Sequence, residues 1–147
     1  MKKIIQDLYK KYKEIINYLI FGVLTTIVNL ISKYILLFTI LDATNPIQLQ
    51  ISIIISWILA VLFAYFTNRK FVFNSKNKNK FKEFITFTGA RVSTLLLDMV
   101  IMFVFVTILK GNDKIFKLVS QILVIVVNYL LSKLIVFKKD SYEKSSK

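Results

Sequence analysis

Four long apolar runs limit what this chain can fold into. We place them at 15–41, 47–66, 84–109 and 116–136, and each has about the 20 or more helical residues needed to cross a bilayer core of roughly 30 Å. The runs lack the alternation of an outer-membrane barrel, and backbone amides that face lipid must be satisfied within a helix. The predicted fold class is therefore all-α, a polytopic membrane protein with four transmembrane helices.

Composition supports a membrane location and excludes several kinds of chemistry. Of the 147 residues, 56% are hydrophobic, which is more than the core of a soluble domain of this size could hide. The sequence has no cysteine and no histidine, which excludes disulfides, thiolate catalysis, most zinc sites and any nucleophile activated by histidine. We therefore expect no catalytic residue, no metal and no cofactor, and we predict that the protein is not an enzyme.

The basic residues predict the orientation of the chain. There are 21 Lys and Arg against 8 Asp and Glu, and they lie in short blocks beside the apolar runs, which fits anionic lipid better than nucleic acid. Sixteen of them lie in 1–14, in the loop 67–83 and from Lys133 onward, against three between 110 and 117. The positive-inside rule then places both termini, the loop 67–83 and the tail 137–147 in the cytoplasm. We expect residues 1–147 to form a single membrane domain.

Residues 1–14 are predicted to form a basic interfacial segment ahead of the first run. Here Ile4, Ile5, Leu8, Tyr9 and Tyr12 are interleaved with five lysines, a pattern typical of a helix that lies in the headgroup layer. The alternative is a frayed basic tail that only sets the topology.

The ends of the second and fourth runs share a pattern. Tyr65–Phe73 and Tyr129–Phe137 both read Tyr-x3-cation-x2-Val-Phe, and we call them the first and second exit motifs. The exit motifs are 64 residues apart, whereas the first and third runs align at an offset of 69, which matches Asn29 with Asp98. Because each half contains two spans, the sequence predicts a 2+2 parallel internal repeat, joined by the Asn- and Lys-rich linker at 74–80.

Three charged side chains lie at least seven residues from either end of their runs. A charge at the helix centre costs roughly 2.5–3.5 kcal/mol. Lys33 and Arg91 are close enough to the ends of their spans to reach the headgroups, but Asp98 lies about 21 Å along its helix. Asp98 must therefore be paired, protonated or hydrated. A structural salt bridge from Asp98 to Lys33 or Arg91 is the main alternative to a functional role for the cluster.

Several of these features together resemble the GtrA-like family of small four-span proteins. The resemblance covers roughly residues 15–139 and rests on the span number, an arginine early in the third span and the motifs Phe21-Gly22, Thr26, Asn29, Asn68–Phe73 and Val136-Phe137. The chain departs from the family pattern at Thr25, Phe71, Ile135 and Ser132-Lys133, so the second exit motif follows that pattern less closely than the first.

The resemblance implies a function in the bacterial cytoplasmic membrane. Family members are expected to take part in glycosylation of cell-surface polysaccharide or teichoic acid, by translocation (flipping) of a polyprenyl-phosphate-linked sugar to the outer leaflet. Anionic lipids and membrane glycosyltransferases are the other expected partners. Four helices make a thin wall, which leaves a homo-oligomer open.

The same resemblance suggests a substrate site. The predicted binding residues are Arg69, Arg91, Lys33, Asn68 and Asp98, with Lys70, Asn29 and Lys133 as weaker candidates. The planar fork of arginine suits a phosphate, so the two arginines are expected to receive it. Asn68 and Asp98 would bond sugar or phosphate oxygens or tune the arginines, and Lys33 would meet the headgroup nearer the outer leaflet. For Arg69 and Lys70, simple determination of topology is the alternative.

Two other functions stay open from the sequence. A small multidrug-type exporter also has four short spans, but such proteins carry a membrane-embedded glutamate in the first span, and here Glu14 only precedes it. A non-transporting scaffold for a glycosyltransferase would use the aromatic helix faces and basic loop for docking and would have no need of Asp98.

Overall fold

The computed structural model describes residues 1–137, which contain four long helices. These are α1 (Lys2–Thr39), α2 (Pro46–Thr67), α3 (Lys80–Met102) and α4 (Asp113–Leu131). All four are long and apolar enough to cross a membrane, three of them together with the π-helical segment that follows, and the described residues contain no strand. The all-α prediction with four spans is confirmed. Of the predicted tail 137–147, residues 138–147 lie outside the described part of the chain.

Asparagine side chains begin three of the helices. Asn45 Oδ1 accepts hydrogen bonds from the backbone amides of Ile47 and Gln48 at 3.0 and 3.3 Å, and Pro46 occupies the first turn of α2. Asn79 and Asn112 cap α3 and α4 in the same way. These caps satisfy amides that have no partner within the helix. An asparagine just ahead of an apolar run is a signal for a helix start that can be read from the sequence.

The helices extend beyond the predicted membrane spans. Helix α1 is continuous from Lys2 and includes the segment 1–14, while α3 and α4 begin at 80 and 113, ahead of the predicted starts at 84 and 116. A helix continues until a cap or turn stops it, whereas a span ends where the hydrocarbon ends. The lipid boundaries of the four spans therefore stay predictions.

The chain divides into two units, and the boundary along the sequence lies between Asn74 and Ser75, in the linker. The first unit holds α1 and α2 and closes in the π-helical segment Asn68–Val72, and the second holds α3 and α4 and closes in Ser132–Val136. A further π-helical segment, Phe103–Ile108, follows α3. In each unit, a π-helical segment therefore lies within the exit motif.

In the first unit, the exit motif packs against residues 17–21 of α1. The Tyr18 and Phe73 rings lie 6.4 Å apart, and Phe21 stacks on Phe71 at 5.3 Å. Asn17 Nδ2 donates a hydrogen bond to the Phe71 carbonyl at 3.4 Å. These contacts fix the end of the unit that carries Arg69.

In the second unit, α3 and the exit motif meet through an equivalent aromatic pair. Phe87 is completely buried, and its ring centre lies 5.8 Å from that of Phe137. Phe87 follows Tyr18 by 69 residues and Phe137 follows Phe73 by 64, the same two offsets that relate the runs and the exit motifs. This correspondence favours the predicted internal repeat, which stays a prediction.

Helix α2 presents a buried row of small side chains at four-residue intervals. Ser52, Ser56, Ala60 and Ala64 are between 0 and 4% exposed, whereas most of the larger side chains of α2 stay half-buried or exposed. In lipid, where apolar side chains gain little from contact with each other rather than with acyl chains, small residues let helix backbones approach closely. Small side chains therefore make up most of the buried face of α2.

Replacing Phe87 with alanine is expected to lower the free energy of unfolding by about 3–5 kcal/mol, because the substitution empties a fully buried site against Phe137. The change is measurable by denaturant titration of helix content in mixed micelles. Phe103, which is 58% exposed, is the matched control, and Phe103→Ala is expected to cost less than about 0.5 kcal/mol. Equal losses from the two substitutions would contradict this packing.

Candidate functional site

The exit motifs form tight π-helical ends. Asn68 and Val72 are buried at the ends of the first segment, and Ser132 and Val136 are buried at the ends of the second. A backbone hydrogen bond closes each segment. The Phe73 amide donates to the Asn68 carbonyl at 2.9 Å, and the Phe137 amide donates to the Ser132 carbonyl at 2.8 Å. Isolated π-helical turns are rare and occur often at functional sites. The repeated sequence therefore produces a repeated and unusual backbone.

Each exit motif holds its cation through a tyrosine one turn earlier. Arg69 Nη1 donates to the Tyr65 hydroxyl oxygen at 3.5 Å, and Lys133 Nζ donates to that of Tyr129 at 3.3 Å. The Lys133 ammonium also lies 5.5 Å from the centre of the Tyr129 ring, within range of a cation–π contact. Arg69 is half-buried, and Lys133 is exposed. The tyrosine of the Tyr-x3-cation pattern thus positions the charge in both units.

Asn68 lies inside the first exit motif and is only 1% exposed. Its Nδ2 donates to the Ala64 carbonyl at 2.7 Å, while its Oδ1 has no hydrogen-bond partner among the described residues. The amide therefore supports the turn from α2 into the π-helical segment. Its predicted contact with sugar or phosphate oxygens stays a prediction.

Arg91 is held on α3 by an aromatic ring. Its guanidinium carbon lies 5.0 Å from the centre of the Phe87 ring, and the side chain is half-buried. One turn further along α3, the Thr94 hydroxyl donates to Asn128 Oδ1 at 2.9 Å, and both side chains are buried. The Phe87 ring therefore positions the Arg91 guanidinium, and the hydrogen bond to α4 fixes this part of α3.

Asp98 is paired, and its partner is Lys117. Lys117 Nζ donates to one carboxylate oxygen at 2.7 Å, and the Ser120 hydroxyl donates to the other at 2.5 Å. The Asp98 side chain is 16% exposed, whereas that of Lys117 is 47% exposed. The sequence offered Lys33 and Arg91 as salt-bridge partners, and the structure assigns the role to a lysine of α4.

Lys117 and Ser120 are the site residues that sequence reasoning missed. By sequence Lys117 belongs with the cations between 110 and 117, but in the structure it lies four residues inside α4. Lys117 and Ser120 are three residues apart and so share one face of the helix, which is the signal that could have marked them as partners of a buried carboxylate.

The remaining predicted residues lie in the first unit. Asn29 and Lys33 are half-buried on α1, four residues apart on one face. Lys70 is exposed, with its ammonium 5.3 Å from the centre of the Phe71 ring. The first exit motif packs at residues 17–21 of α1, so Lys33 lies a further twelve residues, about 18 Å, along the helix. Within this unit, Arg69 and Lys33 are at different depths.

Comparison with known proteins identifies the family. Residues 17–137 match the model of the GtrA/DPMS transmembrane domain. The chain belongs to the GtrA-like family. A Bacillus subtilis protein named "Uncharacterized membrane protein YwcD" is 38% identical over 129 residues, which cover 86% of this chain and 98% of that protein. Proteins named "Cell wall teichoic acid glycosylation protein GtcA" from Listeria monocytogenes and Listeria innocua are 34% and 35% identical over 127 residues, covering 84% of each chain.

The GtrA-like domain contains every candidate residue described above. The matched region begins at Asn17, which bonds to the first exit motif, and ends at Phe137, the last residue of the second motif. The family and the four spans make this chain a multi-pass protein of a bacterial membrane, as predicted. Residues 1–16 precede the GtrA-like domain.

Proposed function

We propose that this GtrA-like protein acts in the glycosylation of a cell wall polymer by moving a polyprenyl-phosphate-linked sugar across the cytoplasmic membrane. The relatives named for teichoic acid glycosylation support the process. The substrate would be an anionic headgroup on a very long apolar tail. Its carrier needs cations at headgroup level, polar groups along a short path and helix faces that stay open to lipid.

The observation that carries the proposal is the state of Arg91. An arginine within a transmembrane helix is costly, yet this guanidinium has no carboxylate partner among residues 1–137 and rests only on the Phe87 ring. The N–H donors of this guanidinium make no hydrogen bond to the described residues, so they can bind a ligand. A phosphate accepts two of these donors at once, so a lipid phosphate is the ligand that matches this charge and shape.

In the predicted orientation, other charges lie near the two surfaces of the membrane. Arg69 and Lys133 sit at the exit motifs, where a phosphate in the inner leaflet would first meet the protein in the predicted orientation. Both carboxylate oxygens of Asp98 accept hydrogen bonds, one from Lys117 and one from Ser120. We therefore assign Asp98 the role of positioning Lys117 rather than of interacting with Arg91. Lys117, about half-exposed and near the outer end of α4, is then the cation that receives the phosphate in the outer leaflet.

The direct test is translocation by the purified protein in vesicles. A short-chain polyprenyl phosphate carrying a fluorescent sugar is placed in both leaflets, and a membrane-impermeant reagent that quenches the sugar is added outside. We expect complete quenching with the protein, and quenching of only about half of the signal in empty vesicles. A phospholipid with the same fluorophore is the specificity control and is expected to stay half-quenched.

Two outcomes would replace the proposal. If vesicles with the protein stay half-quenched while cells lacking it lose polymer glycosylation, the protein is a scaffold for a glycosyltransferase. If the protein instead lowers accumulation of cationic drugs in cells and leaves polymer glycosylation unchanged, it is an exporter.

A further inference from the structure

The first four turns of α1 are a strictly two-faced helix. At about 100° per residue, the apolar side chains of residues 1–16 fall within an arc of about 140°. That arc contains Met1, Ile4, Ile5, Leu8, Tyr9, Tyr12, Ile15 and Ile16. The eight polar side chains occupy the rest of the circumference without exception. Such complete segregation is typical of a helix at a water–lipid boundary.

The lysines are placed asymmetrically around this helix. Lys2 and Lys11 flank the two edges of the apolar arc, with Lys13 next to Lys2, whereas Asp7 and Glu14 lie away from both edges. A lysine at such an edge can lay its methylene chain along apolar surface while its ammonium meets a phosphate. The acidic side chains are kept away from the surface that the apolar arc would enter.

The apolar arc is uncovered in the structure. Residues 1–13 are all exposed, and Ile4, Ile5 and Leu8 are 64, 61 and 50% exposed. The side chains of α1 that contact the rest of the first unit, such as Tyr18 and Phe21, lie on a different side of the helix. This part of α1 therefore presents a large apolar surface away from its own hairpin.

Length excludes the segment from the hydrocarbon core. Helix α1 has 38 residues, or about 57 Å, against a core of roughly 30 Å. Because residues 17–21 pack on the first exit motif, the excess lies on the side of Lys2, immediately before that contact. The segment precedes the GtrA-like domain and joins it at headgroup level, next to residue 17.

We propose that residues 2–16 bind the anionic surface of the membrane, with the apolar arc among the acyl chains near the headgroups and the edge lysines on lipid phosphates. Lying on the surface requires α1 to bend between Glu14 and Asn17, where water can satisfy the backbone groups that the bend releases. Since residues 17–21 pack on the first exit motif, the bound helix gathers anionic headgroups beside Arg69. The binding itself does not depend on translocation.

The test uses single cysteines, because the chain has none of its own. An environment-sensitive fluorophore is attached at Ile5→Cys, on the apolar arc, or at Lys3→Cys, on the polar face. The full-length protein is placed in nanodiscs of phosphatidylcholine alone or with phosphatidylglycerol, with and without spin-labelled lipid as quencher. We expect strong quenching at position 5 and weak quenching at position 3, with more quenching at position 5 when phosphatidylglycerol is present.

Two double variants with the same net charge distinguish binding through the edge lysines from attraction of the whole segment to anionic lipid. Lys2→Gln/Lys11→Gln removes the edge lysines, and Lys3→Gln/Lys10→Gln removes two from the polar face. Each lysine near an anionic surface changes the bound-to-free ratio by about fivefold, so the edge pair is expected to lower it by about 25-fold and the face pair by less than fivefold. These assays contain no sugar lipid, so their failure and the failure of translocation are distinguishable.

Three results would overturn the inference. Equal quenching at positions 3 and 5 would mean that the segment does not lie on the surface. Equal effects of the two double variants would mean that the lysines act only through their total charge. Energy transfer between labelled copies in one nanodisc, without quenching by lipid, would assign the apolar arc to a second copy of the chain.

Discussion

Replacing Arg91 with alanine is expected to lower the rate of sugar-lipid translocation by about 10- to 100-fold. The reason is the loss of charge-assisted hydrogen bonds to the phosphate, each of which is worth about 1.5–3 kcal/mol when the alternative is an unpaired charge. Arg91→Lys is expected to recover only part of the rate, because an ammonium cannot offer two parallel donors. The fluorescent-sugar quenching assay in vesicles measures both variants.

The fold must be shown to survive the Arg91 substitutions. Arg91 rests on Phe87, so both variants are compared with the parent by helix content and by elution in detergent. Lys114→Ala, which removes an exposed cation from the first turn of α4, is the control and is expected to leave the rate unchanged. If Arg91→Ala inserts normally and keeps the full rate, the phosphate is bound elsewhere and the proposed role of Arg91 is wrong.

The exit motifs show how much of this fold could be predicted. The sequence repeat at Tyr65–Phe73 and Tyr129–Phe137 marked two equivalent helix ends, and both form π-helical segments with buried first and last residues. Four apolar runs predicted four helices because a chain in lipid has almost no alternative to the helix. The caps at Asn45 and Asn112 followed from local chemistry alone. Features set by one helix or one turn were therefore accessible from the sequence.

Features set by the rotation of one helix against another were not accessible. Asp98 and Lys117 are 19 residues apart on different helices, and whether they meet depends on which face α4 turns to α3. The same holds for the burial of Phe87 and for the hydrogen bond from Thr94 to Asn128. Because most side chains around these helices are apolar, the hydropathy pattern does not indicate which face of a helix packs on its neighbour. The sequence predicted that Asp98 needs a partner, but it did not identify Lys117 as that partner.

Removing either member of the Asp98–Lys117 pair is expected to destabilise the protein, and removing both to destabilise it less. Lys117→Ala leaves a carboxylate that is 16% exposed and too short to reach water, and we expect a loss of about 2–3 kcal/mol. Asp98→Ala is expected to cost about 1 kcal/mol, because Lys117 is already 47% exposed and can extend to the interface. Denaturant titration in mixed micelles gives the coupling free energy from a double-mutant cycle.

The exchanged pair, Asp98→Lys with Lys117→Asp, separates a structural from a functional role. It keeps an ion pair between α3 and α4, so stability is expected to return to within about 1 kcal/mol of the parent. The rate of translocation is expected to stay at least tenfold low, because the half-exposed position near the outer end of α4 would then carry an anion that repels a lipid phosphate. If the exchanged protein recovers both stability and rate, the pair only holds α3 to α4, and the phosphate contact in the outer leaflet must be sought on another residue.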